Sequence, residues 1–314
     1  MRYIGIDLGG TNIKGALVNG EGEILRETSR PTQVERGADA ICDGIAAVID
    51  SLREGVEADR LGGVGLGCPG TVDDVSGRVL YANNLNWEKF DLRAAMKERT
   101  GLSLRLGNDA NVAALAETLA GCAKGAESAV VVTLGTGVGG GVVLGGKMLT
   151  GYTGAASELG HMVIREGGEP CTCGRRGCFE AYASATALIR ETKRAMAADP
   201  SSLMHAAAEE SGGVDGCTAF TAARRGDAAA QGVVERYLDS LACGVANLVN
   251  IFFPEVVALS GGVANQGEAL LIPLRERVRR LSYGAPYAAR HTRIELCTLG
   301  YRTGVIGAAL LAAR

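Results

Sequence analysis

The sequence of 314 residues is poor in aromatic side chains and carries almost no excess of charge of either sign. Aromatic residues make up 4% of the chain, and 32 Lys and Arg stand against 35 Asp and Glu, so the formal net charge is −3. No basic stretch alternates with aromatic residues, and the pattern typical of nucleic-acid binding is therefore missing. We expect no nucleic-acid partner.

The sequence also lacks a long hydrophobic run. The longest uncharged segment, residues 128–146, contains seven glycines that divide it into short apolar stretches. Such a segment does not suit a membrane span. An acidic residue, Asp7, lies where a secretory signal would need an apolar core. These absences predict a cytoplasmic protein.

The hydrophobic fraction of 47% is that of an ordinary globular protein, and the length exceeds what one core usually fills. We therefore predict two domains, with a ligand cleft between them. The nine cysteines are an odd count for a disulfide framework. Six of them are scattered along the chain, whereas Cys171, Cys173 and Cys178 lie within eight residues.

Glycine is abundant, with 46 residues, and it clusters. A predicted strand at 2–8 is followed by the turn Gly9-Gly10-Thr11-Asn12 and by a second strand at 13–18. The same order of features returns 126 residues later, with a strand at 129–134, a glycine turn at 135–141 and a returning strand from 142. This offset predicts a duplicated scaffold that opens each half with a β-hairpin.

Helical periodicity predicts helices at 38–53, at 112–120 with Gly121 as C-cap, and through 237–252. Strands are predicted at 61–66 and 256–259, between these helices. Alternating strands and helices are typical of the α/β class, and we predict that fold class.

Glycine loops at strand ends can present several backbone N–H groups to one phosphate, although a single glycine turn is more often only a hairpin. No Gly-Lys-Ser/Thr follows any of these loops, which excludes a P-loop. The G-x-G-x-x-G pattern at 135–140 precedes strand residues rather than the helix of a dinucleotide-binding fold. We expect phosphates to be held between two β-hairpins. Asp7 beside them predicts Mg²⁺, bound directly or through water, unless it only caps its own turn.

His161, Cys171, Cys173 and Cys178 supply one imidazole and three thiolates, a set that tetrahedral zinc takes in proteins. The alternative is a group of buried thiols near an unrelated histidine. Four protein ligands leave no open position for an activated water, so the sequence predicts a structural zinc rather than a catalytic one.

Six motifs, in their order along the chain, resemble those of the ROK (repressor, open reading frame, kinase) family. They are Asp7-Leu8-Gly9-Gly10-Thr11, Gly67-Cys68-Pro69-Gly70, Asn108-Asp109, the glycine segment 135–141, Glu158-Leu159-Gly160-His161 and the segment 171–180, C-T-C-G-R-R-G-C-F-E. The last motif is highly specific. The resemblance covers essentially the whole chain, and it is strongest to the bacterial glucokinases of the family.

The resemblance implies a two-domain actin-like ATPase fold of ribonuclease H type, in which sugar and Mg·ATP meet in the cleft between the domains. It implies a small N-terminal α/β domain at 1–118, a larger α/β domain with the zinc site at 119–299, and a C-terminal helix at 300–314 that returns to the small domain. A homodimer or homotetramer is implied as well.

The resemblance also implies site residues. Asp109 corresponds to the general base for the attacking sugar hydroxyl; from the residues alone it is equally a candidate N-cap of a helix from Ala110, and the two roles are compatible. The implied sugar-binding set is Gly70, Asn83, Asn108, Glu158, His161 and Glu180. The implied nucleotide-binding set is Asp7, Gly9, Gly10, Thr11, Asn12, Gly135, Thr136, Gly137, Gly261 and Gly262. His161 would contact both the zinc and the sugar.

These expectations predict an ATP-dependent hexose kinase that converts glucose to glucose 6-phosphate. Kinases of N-acetylmannosamine, N-acetylglucosamine or fructose are alternatives within the same class, and polyphosphate is an alternative donor. A sugar-responsive repressor is disfavoured, because the first glycine loop begins at residue 9 and leaves no room before it for a DNA-binding domain. A cytoskeletal or chaperone ATPase of the actin superfamily would need neither the sugar-binding residues nor the zinc cluster.

Overall fold

The computed structural model describes residues 1–287 and 289–314, and its contacts divide the chain into two compact units. The first unit comprises Met1–Ala129, Gly141–Ser157 and Cys297–Arg314, and the second comprises Val130–Gly140 and Glu158–Leu296. The segment Gly141–Ser157 thus belongs with the first unit, although the resemblance assigned it to the larger domain. Within the described part of the chain, no helix is long and apolar enough to cross a membrane.

The first unit is built on two sheets. Its first eight strands are β1 (Arg2–Leu8), β2 (Asn12–Asn19), β3 (Ile24–Pro31), β4 (Leu61–Cys68), β5 (Thr71–Asp73), β6 (Arg78–Ala82), β7 (Trp87–Phe90) and β8 (Leu104–Asn108). The main sheet has the order β3-β2-β1-β4-β8, antiparallel among its first three strands and parallel from β1 through β4 to β8. A small antiparallel sheet, β5-β6-β7, is inserted between β4 and β8.

Three helices belong to the same stretch of chain: α1 (Gly37–Arg53), α2 (Leu92–Thr100) and α3 (Asp109–Leu119). Helix α1 buries Ile41, Ile45, Val48, Ile49 and Leu52 in the core it shares with the main sheet, as their helical spacing predicts. The apolar face of α1 is therefore fixed by the sequence period.

The second unit repeats this scheme. The remaining strands are β9 (Ala129–Leu134), β10 (Val138–Leu144), β11 (Lys147–Met148), β12 (Val256–Ser260) and β13 (Arg293–Leu296), and the helices are α4 (Glu180–Ala183), α5 (Ala185–Ala198), α6 (Met204–Ser211), α7 (Thr218–Arg224), α8 (Ala228–Phe252) and α9 (Glu268–Leu281). The strand order is β10-β9-β12-β13, and β11 pairs with the part of β10 that lies in the first unit. In both sheets the first strand lies between a hairpin partner and a pair of parallel strands, which supports the predicted duplication.

The C-terminal helix α10 (Thr303–Ala312) belongs to the first unit and packs against α3, β1 and β4. Glycines in the sheet make this close approach possible. A side chain on Gly5 in β1 would overlap the carbonyl of Val305, and one on Gly65 in β4 would overlap that of Ala308. The helix therefore lies directly on the backbone of the sheet.

The predicted starts of α3 and α8 were wrong, since these helices begin at Asp109 and Ala228. Two predicted roles of glycine were wrong as well. Strand β10 begins at Val138, so the glycine turn is only 135–137; a side chain on Gly140 would overlap Leu159, and the later glycines serve close packing inside a strand. Helix α3 ends at Leu119, and its C-cap is Ala120 rather than Gly121. Gly121 lacks a side chain because the carboxylate of Glu117 occupies that space.

Candidate active site

The first glycine loop, residues 9–12, joins β1 to β2. The N–H of Gly9 donates to the carbonyl of Asn12 at 3.0 Å, which closes the turn. The hydroxyl of Thr32 donates to the carbonyl of Gly9 at 2.7 Å, and the N–H of Thr32 donates to that of Thr11 at 2.9 Å. The loop carbonyls are thus held from one side by a single buried threonine.

Asp7 is the penultimate residue of β1, opposite Lys14 in the hairpin. Its carboxyl group lies against the first turn of α10, where a Cβ on Gly304 would be 2.6 Å from Asp7 Cγ. Burial raises the pKa of Asp7 above its usual range, and the charge of Lys14 opposes that rise. A half-buried carboxylate is chemically suited to a hard cation such as Mg²⁺, which prefers oxygen ligands.

Asn108 and Asp109 lie where β8 meets α3. The N-cap of α3 is Asn108, whose Oδ1 accepts from the N–H groups of Ala110 at 3.0 Å and Asn111 at 3.2 Å. The suggestion that Asp109 is the N-cap was therefore wrong, since Asn108 already fills that position. Asp109 is instead the first helical residue, and its Oδ1 accepts from the N–H of Ala110 at 2.8 Å.

Gly70 and Asn83 lie on loops close to Asn108. Asn108 Nδ2 donates to the carbonyl of Gly70 at 2.8 Å, so the cap residue also fixes this loop. Gly70 has φ of 89°, and a side chain there would overlap the carbonyl of Tyr81. Asn83 follows β6 directly and begins a short 3-10 helix, Asn83–Leu85. The first unit therefore brings three predicted sugar-binding residues onto neighbouring loops.

These loops also adjoin the first glycine loop. A Cβ on Gly10 would lie 3.6 Å from the Cβ of Asn84, the residue after Asn83. Predicted sugar-binding and phosphate-binding segments are therefore neighbours within the first unit.

The second glycine loop, residues 135–137, joins β9 to β10. The N–H of Gly135 donates to the carbonyl of Gly137 at 3.0 Å. The N–H of Ala185 donates to the carbonyl of Gly135 at 2.8 Å, and the hydroxyl of Thr186 donates to that of Thr136 at 2.7 Å. The start of α5 thus holds the loop from one side.

Gly261 and Gly262 follow β12 and differ in their surroundings. Gly261 has φ of 89°, and a side chain on it would overlap the carbonyl of Leu134 at the end of β9. Gly262 begins the 3-10 helix Gly262–Gln266, and no described atom lies within 4 Å of where its Cβ would be. Gly261 serves packing, and Gly262 leaves open space beside the strand end.

His161, Cys171, Cys173 and Cys178 converge in the second unit, with their ligand atoms all within 4.8 Å of one another. Cys173 Sγ is 3.7 Å from Cys178 Sγ, and Cys171 Sγ is 3.6 Å from His161 Nδ1. A zinc tetrahedron with Zn–S bonds of about 2.3 Å has edges of about 3.8 Å, so these spacings fit the ion. The left-handed φ values of Gly174 and Gly177, 85° and 81°, allow the chain to wrap around that point.

The thiols of this cluster differ in their environments. The backbone N–H of Arg175 lowers the pKa of the exposed Cys173 thiol. Burial, together with the neighbouring thiols of Cys173 and Cys171, raises the pKa of Cys178 to about 12. A buried thiol beside two others is stable as a thiolate only with a cation among them.

Glu180 connects the cysteine cluster to the second glycine loop. Its Oε1 accepts from the hydroxyl of Thr172 at 3.0 Å, and its Oε2 accepts from the N–H of Val138 at 3.0 Å. A side chain on Gly137 would overlap Glu180 Oε2. Glu158 precedes the 3-10 helix Leu159–His161 in the same unit.

A second group with potential metal ligands, Glu117, Cys122 and Cys297, lies in the first unit. Here the carboxylate of Glu117 accepts hydrogen bonds from the backbone N–H groups of Cys122, Thr298 and Leu299, at 3.0 to 3.2 Å. These donors satisfy a fully buried carboxylate, so we interpret the group as a tie between α3 and the segment that leads to α10.

Sequence reasoning missed Thr32, Thr172, Thr186 and Gly304. Thr32 and Thr186 act on partners remote in sequence, since Thr32 holds a carbonyl 23 residues away and Thr186 one 50 residues away. No sequence pattern around a threonine predicts a hydrogen-bond partner at such a distance along the chain. Only the folded chain shows these contacts.

Comparison with known proteins identifies relatives over nearly the whole length. A sequence model described as the ROK family matches residues 3–314. The chain is 39% identical to a glucokinase of Thermotoga maritima, covering 98% of this chain and 96% of that protein, and 38% identical to one of Halalkalibacterium halodurans, covering 97% and 93%. It is 33% identical to an N-acetylmannosamine kinase of Shigella flexneri, covering 99% and 98%.

Among solved structures, the chain is similar to a ROK family glucokinase from Streptomyces griseus in complex with glucose and AMPPNP. The TM-score is 0.80 at 35% identity, and the alignment covers 100% of this chain and 99% of the other. This likeness supports the two-domain actin-like ATPase fold expected from the sequence.

Proposed function

The chain belongs to the ROK family, and on that premise we propose that it is an ATP-dependent hexose kinase that converts glucose to glucose 6-phosphate. One structural observation carries the proposal. In each unit a glycine loop adjoins the segment of an expected sugar-binding residue: Gly10 lies next to Asn84, which follows Asn83 in the chain, and Gly137 lies next to Glu180. Phosphoryl transfer requires this closeness, because the donor phosphate and the attacking hydroxyl must be held in line.

Asp109 is proposed as the general base that accepts the proton of the sugar's 6-hydroxyl. Asn108 caps α3, and Asp109, the first residue of that helix, supplies the carboxylate proposed for this role. One oriented carboxylate is sufficient for this chemistry, since phosphoryl transfer needs positioning and charge stabilisation more than covalent participation.

The two glycine loops, residues 9–12 and 135–137, are proposed to bind the phosphates of ATP, with Gly261 and Gly262 forming the adjacent nucleotide contact. Asp7 would hold Mg²⁺ directly or through water, and that ion would neutralise charge on the phosphates. The half-buried position and raised pKa of Asp7 support this role, since burial disfavours its charged form unless a cation is near.

His161, Cys171, Cys173 and Cys178 would hold a structural zinc. His161 directs Nδ1 toward the cluster, which leaves Nε2 to contact a sugar hydroxyl. The same loop carries Thr172, which fixes Glu180. The cluster therefore supports the sugar-binding residues without taking part in the reaction.

Glucose is proposed as the preferred hexose, with Gly70, Asn83, Asn108, Glu158, His161 and Glu180 as its binding residues. Charged partners fitted to hydroxyl groups penalise an analogue whose N-acetyl group displaces one of those contacts, by about 10²-fold or more. The relationship to an N-acetylmannosamine kinase, at 33% identity, keeps that sugar as the second candidate. A cytoplasmic location and a homodimer or homotetramer stay predictions from the sequence and the resemblance.

A coupled assay with a panel of sugars and donors tests the proposal. We expect kcat/KM for glucose to exceed that for N-acetylmannosamine, N-acetylglucosamine and fructose, with ATP preferred over polyphosphate. Higher kcat/KM for N-acetylmannosamine would replace the substrate and leave the kinase assignment intact. Absence of phosphorylation for every sugar with both donors would refute the kinase assignment.

A further inference from the structure

Thr186 is exposed at the start of α5, outside every predicted set of site residues. Its hydroxyl donates to the carbonyl of Thr136 in the second glycine loop at 2.7 Å, and the N–H of its neighbour Ala185 donates to the carbonyl of Gly135 at 2.8 Å. Two successive carbonyls of the loop are thus turned toward α5.

The orientation of these carbonyls fixes the orientation of the loop's N–H groups. In a trans peptide the C=O of one residue and the N–H of the next point in opposite directions. The N–H groups of Thr136 and Gly137 therefore point away from α5. Two successive N–H groups on one side of a turn form an anion-binding concavity.

We propose that Thr186 is a positioning residue for the phosphoryl donor, holding the second glycine loop with its N–H groups turned toward the phosphates. This inference rests on the proposed kinase function. It assigns Thr186 a role through the loop backbone and not through direct contact with ATP.

The first unit contains an independent counterpart. The hydroxyl of Thr32 donates to the carbonyl of Gly9 at 2.7 Å, and its N–H donates to the carbonyl of Thr11 at 2.9 Å. By the same peptide geometry, the N–H groups of Gly10 and Asn12 point away from Thr32. Both loops therefore use one threonine hydroxyl to set the direction of their N–H groups.

Thr186 is the better residue to test, because Thr32 is 1% exposed and its replacement would disturb a packed core. Thr172 offers a matched control in the same unit. It is also exposed, and its hydroxyl donates to Glu180 Oε1 at 3.0 Å, so it acts on the sugar side of the site. Each threonine donates one hydroxyl hydrogen bond, Thr186 to the proposed phosphate-binding loop and Thr172 to the proposed sugar-binding Glu180.

We expect Thr186→Val to raise KM for ATP about 3- to 10-fold, the effect of one lost hydrogen bond, while KM for glucose changes less than about twofold. Thr172→Val should raise KM for glucose about 3- to 10-fold and change KM for ATP less than about twofold. Thr186→Ser should restore KM for ATP, because it restores the hydroxyl. Titration of AMPPNP with Mg²⁺ into each protein, followed by calorimetry, gives the nucleotide affinity without turnover.

A stabilising role alone would lower the melting temperature and change both KM values together, and that result would overturn the inference. Equal AMPPNP affinity of wild type and Thr186→Val would overturn it too. A wild-type protein that binds AMPPNP but phosphorylates no sugar would refute the proposed function, and in that case the AMPPNP titration still decides the role of Thr186.

Discussion

The two glycine loops are built alike but are flanked by different chemistry. In each, a threonine from a neighbouring segment donates its hydroxyl to a loop carbonyl at 2.7 Å. The penultimate residue of the strand before each loop differs. It is Asp7 in β1 and Thr133, 126 residues later, in β9. The Thr133 hydroxyl is 3.0 Å from that of Ser260, so it pairs with a neutral partner. The scaffold is repeated, whereas the carboxylate suited to a cation occurs once.

Helices α3 and α10 extend the comparison. Each follows the last strand of its sheet, β8 or β13. Helix α3 begins with Asn108 as cap and Asp109 as first residue, whereas α10 begins with Thr303 and Gly304, and Gly304 makes room for Asp7. Both helices belong to the first unit, and their first residues differ in chemistry.

The largest expected effect comes from the carboxylate of α3. Asp109→Asn should lower kcat by at least about 10², because asparagine can still hydrogen-bond the sugar hydroxyl but cannot accept its proton. Glucose affinity should change little, which calorimetry with the unreactive variant measures. Turnover near the wild-type rate would show that Asp109 is only the first residue of a helix.

The next largest effect is expected at Asp7 and not at Thr133, the residue at the corresponding position of the second hairpin. Asp7→Asn should lower kcat/KM about 10-fold or more and raise the Mg²⁺ concentration needed for half-maximal rate, since a neutral amide is a poor magnesium ligand. Thr133→Val should change neither by more than about twofold. Similar losses in both variants would contradict the asymmetry between the loops.

Asp7→Asn also has a stability consequence with a definite sign. Burial raises the pKa of Asp7, so the folded state binds its proton more tightly than the unfolded state does, and stability from this group falls as pH rises through the folded pKa. Without Mg²⁺ at pH 7, the asparagine variant should therefore melt at a higher temperature than wild type. The difference should shrink as the pH falls toward the pKa of the carboxyl group.

Much of this scaffold could be predicted from local patterns. The helical spacing of Ile41 to Leu52 and the strand–glycine–strand order of both hairpins depend on near neighbours, so they are visible in the sequence. The turn at 135–141 was overestimated because glycines that serve close packing look the same in a sequence as glycines that serve a turn. Distinguishing them requires the partner, here Leu159.

The site residues show the same limit. His161 and the three cysteines could be grouped from the sequence because three cysteines within eight residues, with a histidine nearby, supply the ligand types that tetrahedral zinc takes. The cap of α3 was misassigned, since Asn108 and Asp109 are both good N-caps and only the hydrogen bonds to Ala110 and Asn111 decide between them. The threonines that hold the loops act over 23 and 50 residues, beyond any local pattern.

The cysteine cluster lies in the second unit, and its removal tests whether the sugar-binding residues depend on it. Cys173→Ser should lose zinc, lower the melting temperature and raise KM for glucose about 10-fold, because the segments that carry Thr172 and His161 lose their shared anchor. Cys217→Ser is the matched control: this exposed thiol accepts a hydrogen bond from Gln266 and lies outside the cluster. Full glucose affinity in a verified zinc-free protein would end the proposed dependence.

The smallest expected effect concerns one position that differs between the loops. Gly137 stands where the first loop has Thr11, 126 residues earlier, and a side chain on Gly137 would overlap Glu180 Oε2. Gly137→Ala should therefore displace a sugar-side carboxylate and raise KM for glucose about 3- to 10-fold, the cost of one disturbed hydrogen bond, with little change for ATP.

Gly135→Ala is the matched variant, because no described atom lies within 4 Å of where its Cβ would be. Neither glycine has a left-handed φ, so alanine fits the backbone at both positions. If the space at Gly135 is kept for phosphate, its alanine variant should raise KM for ATP and leave that for glucose unchanged, the opposite of Gly137→Ala. Steady-state kinetics with each substrate varied in turn measures both. If Gly135→Ala and Gly137→Ala both change KM for the same substrate, the two glycines serve one substrate. The interpretation that Gly137 leaves space for Glu180 would then be wrong.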